Sequence, residues 1–171
     1  MNIFVLDEDP KIAAQMMCDK HVVKMIVESC QMLSTNHRLS GSNTVYTITF
    51  DLYKQAFANH PCTVWARQTK ENYMWLSDHT LELCHEYTRR YGKVHSCETM
   101  ATWFSMYYPL KTPEGGLTPF AQAMPDKYKS ENAVNSYRSY YLGEKSMFAK
   151  WKQQNVPEWY SFGLASNTSL S

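Results

Sequence analysis

Residues 9–34 read DPKIAAQMMCDKHVVKMIVESCQMLS, and the spacing of their apolar side chains decides the fold. Asp9 before Pro10 is a strong helix start: a capping carboxylate, then a residue whose missing N–H costs nothing in a first turn. The pattern predicts one helix from there to about Ser34. Ile12, Met16, Val23, Ile26, Cys30 and Leu33 form an apolar face wide enough to meet a core. His21, Lys24, Glu28 and Gln31 fall within roughly 80° of arc elsewhere on the same helix. That stripe holds an imidazole, an ammonium, a carboxylate and an amide, a set suited to binding phosphate or moving a proton. The plainer alternative is a solvated face with an i,i+4 Lys24–Glu28 pair. Met17 and Met25 flank the stripe and argue for a partly covered surface that needs partners.

Outward from this helix, residues 2–6 are a short apolar run, read as a buried strand or an extended lead-in. A loop follows at 40–43, a short extended piece at 44–49, and a helix from about Asp51 to Ala58 that stops before Pro61. A long helix is expected from about Thr69 to Tyr91, with 64–68 as its lead-in turn and Gly92 as its C-terminal stop. Ser96 is placed as the cap of a helix to Tyr107, and Ser130 as the cap of another to Leu142. Between them, 109–125 is a loop rich in Pro and Gly, and an aromatic tail closes the chain. The expected fold is a mainly α, compact single-domain helical bundle over 1–163, with 164–171 frayed.

Composition narrows the function. A chain of 171 residues with 44% hydrophobic and 14% aromatic content, including twelve Tyr and five Trp, has ample core for one domain. Lys+Arg 17 against Asp+Glu 16 gives a net charge of +1, whereas proteins that grip long duplex DNA are usually far more basic. The cysteines at 18, 30, 62, 84 and 97 form no CxxC pair, and no secretory signal is evident. These features imply a reducing cytoplasm. No apolar run reaches membrane-span length. Metal binding and cofactors are not expected, because no HxxxH, HExxH, P-loop or GxGxxG pattern occurs.

Other residues supplement the stripe. His60, Arg67, Asn72 and Tyr73 cluster where a helix N-terminus and a guanidinium suit an anion, although His60 closing a helix and Arg67 in a surface pair explain them equally well. Tyr87, Arg90, Lys93 and His95 surround a helix end and suit a pyrophosphate, against the simpler account of cations opposing a helix dipole. Gln122 sits in a proline-bracketed loop and is able to read a base edge. Arg138 with Tyr141, and Lys150 with Trp151, suit a nucleotide or, more plainly, a core.

The phrases DPKIAAQMMCDKHVVKMIVES, NHPCTVWARQTKENYMWL, EYTRRYGKVH, LTPFAQAMP and FAKW…VPEWY resemble a widespread family of small tailed-phage proteins, a likeness that assigns no activity. The layout is also similar to the phage pyrimidine-dimer DNA glycosylase (endonuclease V) family. The likeness lies in the long first helix, the rhythm of residues 60–93 and the tail at 156–163. That resemblance implies a compact helical fold and attack by an N-terminal α-amino group, aided by a Glu and several Arg on the first helix. Here the second residue is Asn2, large enough that Met1 stays, and the helix offers Glu28 with Lys20, His21 and Lys24 in place of Arg.

These readings lead to a phage protein that binds a small phosphate-bearing nucleotide, such as a cyclic-dinucleotide or ADP-ribose-type immune messenger, as an anti-defence device. Sequestration needs only the pocket. Cleavage, as a phosphodiesterase-like hydrolase, would use His21 as general acid/base, Lys24 on phosphate and Glu28 to orient the imidazole. The expected ligand-binding set is His21, Lys24, Glu28, Gln31, His60, Arg67, Tyr73, Tyr87, Arg90, Lys93, His95, Gln122 and Arg138. The alternative is a DNA glycosylase/endonuclease of the pyrimidine-dimer repair type, with nucleic acid as partner. A plainer third option is an interaction protein using its aromatic tail, and self-association is left open.

Overall fold

The computed structural model describes residues 1–41, 51–152 and 156–168. Among them lie seven α-helices and no strand: α1 (Pro10–Met16), α2 (Asp19–Ser40), α3 (Pro61–Gln68), α4 (Lys70–Tyr91), α5 (Glu98–Met106), α6 (Ala133–Tyr140) and α7 (Glu158–Thr168). The fold is all-α, as the sequence indicates. Helix α4 is the central element and packs against α1, α2, α3 and α5. None of these helices is long and apolar enough to cross a membrane.

The expected single helix over 9–34 is two. Asp9 does cap α1, its Oδ1 accepting from the N–H groups of Lys11 at 2.8 Å and Ile12 at 3.1 Å. But Met17 and Cys18 are extended, and α2 restarts at Asp19. The break contains no Pro or Gly, so nothing local announces it. Its cause comes from α4 and the C-terminal region. Arg90 donates to the carbonyls of Met17 at 2.8 Å and Gln15 at 3.0 Å, and Trp151 donates to that of Met16 at 3.0 Å. The carbonyls left open where α1 stops are therefore satisfied by side chains.

The break also re-phases the two helices. Ile26, Cys30 and Leu33 are buried as expected, but Ile12 and Val23 are 40% and 39% exposed. Instead α2 buries His21, Val22 and Met25, because the N-terminal segment and Tyr141 cover a second side of it.

Arg90 is the ionic centre of this core. Its side chain is 0% exposed, with Asp19 Oδ1 at 3.0 Å and Glu86 Oε2 at 2.9 Å. Burial alone would raise the Glu86 carboxyl, but hydrogen bonds and charge from Arg89 and Arg90 outweigh it and hold the pKa below its usual range.

Several other boundaries differ from the sequence expectation. Residues 51–57 are not helical. Their backbone is held by α2 side chains: Arg38 donates to the carbonyls of Tyr53 and Leu52, and Thr35 Oγ1 bonds both backbone groups of Ala56. The expected lead-in turn at 64–68 belongs to α3, started by Pro61 and by His60 Nδ1 accepting from Cys62 N. His95, not Ser96, accepts the first N–H of the α5 start, from Cys97 at 3.1 Å. Asn132, not Ser130, caps α6, which ends at Tyr140 in a π-turn over Tyr141–Lys145. Helix α7 continues to Thr168, beyond the point where fraying is expected. The extended piece at 44–49 lies outside the described residues.

Removing Arg90 as Arg90→Met takes the shared cation from the buried Glu86 and the partly buried Asp19, and leaves the carbonyls of Gln15 and Met17 without their donor. Urea unfolding is expected to show a loss of about 3–5 kcal/mol; a loss under about 1 kcal/mol would remove Arg90 from this role.

Candidate active site

Residues 3–6 are buried and belong to no helix, so the start of the chain is part of the core. Asn2 organises it. Its Oδ1 accepts from the N–H groups of Ile3 at 2.8 Å and Phe4 at 3.2 Å, and its Nδ2 donates to Ala123 O at 2.7 Å. Phe4 has φ 39, a left-handed conformation that a non-glycine residue adopts only when its surroundings impose it. The Phe4 ring is pinned between His21, stacked at 4.1 Å between centroids, and Tyr141.

This fold-back lays Met1 on α2. The Met1 side chain is 2% exposed while the residue as a whole is only half-buried, so what reaches solvent is its main-chain end. There the α-amino nitrogen lies 3.2 Å from Glu28 Oε2, and Lys24 Nζ lies 3.3 Å from Glu28 Oε1. The amine contact is an ion pair without hydrogen-bond geometry, since Glu28 Oε2 has no hydrogen-bond partner. His60 stands close enough to feel both charges. Burial, then the positive amine, lower its pKa, and Glu28 opposes them. A primary amine, a carboxylate and an ammonium thus meet at one edge of the protein, with the His60 imidazole within electrostatic reach.

Among the expected site residues, Lys24, Glu28 and His60 join this cluster, and Gln31 continues the stripe half-buried. His21 sits beneath it. Its Nδ1 is 2.5 Å from Tyr141 Oη, and burial, helped by Lys145, Lys24 and Lys20, lowers its pKa to about 3. It is therefore a neutral ring in an aromatic stack.

The remaining residues are bonded to separate parts of the scaffold. Arg67 donates to Ala58 O at 2.6 Å, and Tyr73 is fully buried with its hydroxyl donating to Tyr107 O. Arg90 lies in the core, Tyr87 packs edge-on against His95, and Lys93 is exposed. Gln122 donates to Ser130 O, and Arg138 donates to Leu6 O. Asn72 holds the 117–124 loop by bonding both Thr118 N and Thr118 Oγ1.

The family resemblance implies an N-terminal amine, whereas the side-chain pattern places the chemistry on His21, Lys24 and Glu28; the structure sets the Met1 amine beside Glu28 and leaves His21 beneath.

Comparison with protein families gives this helical layout a place: residues 1–99, more than half of the chain, match the pyrimidine dimer DNA glycosylase family, and the chain belongs to it. The match takes in Met1, Lys24, Glu28 and His60. Searches of curated proteins and of solved structures return no significant match. Immune-messenger sequestration draws no support from these findings.

Buried histidines give the site a pH signature. His21 is lowered to about 3, and His37 and His79 to about 4, each chiefly by burial. Their unfolded counterparts titrate near about 6.5, so the unfolded chain takes up protons first as pH falls. Stability is full above that value and is lost on acidification towards 4, by on the order of 1 kcal/mol per pH unit for each histidine. Urea midpoints from about pH 7.5 down to about pH 5 should fall steadily. A flat profile would mean that these rings are not held neutral.

Proposed function

We propose that this protein is a DNA glycosylase with lyase activity on pyrimidine-dimer-type damage, using the Met1 α-amino group as nucleophile and Glu28 as its proton acceptor and donor. The observation that carries this reading is the 3.2 Å approach of the amine to Glu28. Family membership supports it independently.

The Met1 amine becomes a nucleophile once its proton has passed to the adjacent Glu28 carboxylate. Its lone pair attacks C1′ of the damaged nucleotide. The C1′–N bond breaks, and its electron pair leaves with the base, which takes up a proton. Sugar-ring opening leaves an iminium between Met1 and C1′. Glu28, beside the nitrogen, accepts the proton the amine loses, gives it to the ring oxygen O4′ as the sugar opens, and as a carboxylate again takes the C2′ proton whose removal expels the 3′ phosphate. Lys24, 69% exposed, reaches outward from Glu28 towards the flanking phosphates.

The near-neutral chain suits recognition of a short, distorted stretch rather than a long grip on duplex. The test is strand cleavage of duplexes carrying an abasic site or a cyclobutane dimer. Glu28→Gln is expected to lower the single-turnover rate by about 10²–10⁴-fold. A short N-terminal extension should abolish cleavage, and proteolytic removal of the extension should restore it. Undiminished cleavage by the extended chain would overturn the assignment.

A further inference from the structure

Two helical turns beyond Glu28, about 12 Å along α2 at 1.5 Å per residue, a second feature of the molecule lacks an explanation. Asn36 is 2% exposed, and neither its Oδ1 nor its Nδ2 has a hydrogen-bond partner among the described residues. A buried carboxamide with both ends unmet is costly, on the order of 1–3 kcal/mol for each group, and native proteins rarely retain one without use. Asn36 forms part of the wall of a cleft of about 430 Å³, together with Leu39, Arg67, Pro109 and Lys111. That volume falls within the range of small-molecule sites, about 300–1,000 Å³.

The wall has two chemistries. Arg67 spends one nitrogen on Ala58 O and brings the rest of its guanidinium to the cleft, and Lys111 is exposed at its edge. Two cations without a carboxylate among the lining residues favour an anion, and a guanidinium favours the forked geometry of phosphate. Asn36 offers a paired donor and acceptor, the complement of a nucleobase edge. Leu39 and Pro109 supply apolar surface for a planar ring.

We propose that this cleft binds a nucleoside monophosphate unit, with Asn36 reading an edge of the base and Arg67 and Lys111 holding the phosphate. The unit is either a free mononucleotide or one nucleotide of a DNA strand. The site uses none of the residues assigned to the amine chemistry, so it stands or falls separately from the glycosylase reading.

The experiment is titration of the full chain, by calorimetry and by NMR, with the four ribonucleoside monophosphates, inorganic phosphate and a short single-stranded oligonucleotide. At least one mononucleotide is expected to bind more tightly than phosphate alone. Asn36→Leu should weaken it by about tenfold or more while leaving phosphate binding unchanged, and without lowering the unfolding midpoint, since it removes an unmet polar group. Lys111→Glu, a surface change that cannot disturb the core, should weaken mononucleotide and phosphate alike. Binding of the oligonucleotide alone, with the same sensitivity to both variants, supports the proposal and identifies the strand as the source. Absence of binding by every probe overturns it, as does binding indifferent to Asn36→Leu, which would assign the carboxamide to buried water. Strand cleavage measured on the same variants separates the two readings, because loss of the cleft leaves the Met1 amine in place.

Discussion

One buried guanidinium sets the frame on which the rest of the molecule is built. Arg90 reaches from the last turn of α4 to the carbonyls that α1 leaves open, to Asp19 at the start of α2 and to Glu86 on its own helix. A charge that deep is stable only with its partners in place, and a continuous helix through residues 17 and 18 would withdraw its carbonyl acceptors. The core therefore demands a break there. The break turns α2 so that His21 and Met25 are covered, and the surface that covers them includes the first residues of the chain.

From that constraint the geometry at the N-terminus follows. An apolar run at 2–6 has no strand to pair with among the described residues, so it buries itself on α2: Asn2 Oδ1 takes the N–H groups of Ile3 and Phe4 and its Nδ2 holds the 117–124 loop, while Arg138 takes the carbonyl of Leu6. Phe4 accepts a left-handed backbone because its ring is locked against His21 and Tyr141. The strain fixes the direction of the first three residues, and the buried Met1 side chain anchors their end. A terminal amine is normally the most mobile group of a chain. Here it is held beside a carboxylate, and positioning of this kind is what a covalent nucleophile requires.

The helical class, the start of α1 at Asp9-Pro10, the span of α4 and its stop at Gly92 were all legible in the sequence, because capping chemistry and apolar spacing are local. The break at 17–18 was not. No residue there resists a helix, and the acceptors are claimed by Arg90 and Trp151, distant along the chain. The same holds for 51–57, where Arg38 and Thr35 take the backbone bonds that a helix would have made. For the site, the Lys24–Glu28 pair was visible as an i,i+4 spacing. His21 looked like a catalytic base from its place on the helix, but only tertiary cover shows it to be a neutral ring between aromatics. The amine was implied only by the family resemblance, and Asn2 in place of the family's Thr directed the reading towards side chains; its position beside Glu28 depends on the tertiary fold-back of residues 1–6.

The near-equality of charge fits this arrangement. A repair enzyme of the kind proposed, using one amine, one carboxylate and a lysine at a single edge, would need few phosphate contacts to hold a distorted nucleotide. The competing nucleophile is close at hand, for Lys24 Nζ shares the same carboxylate at 3.3 Å. Borohydride trapping on an abasic duplex, followed by peptide mass mapping of the reduced adduct, separates the two. The sugar fragment is expected on the α-nitrogen of Met1; an adduct on Lys24, or no covalent adduct, would contradict the central role given to the N-terminal amine.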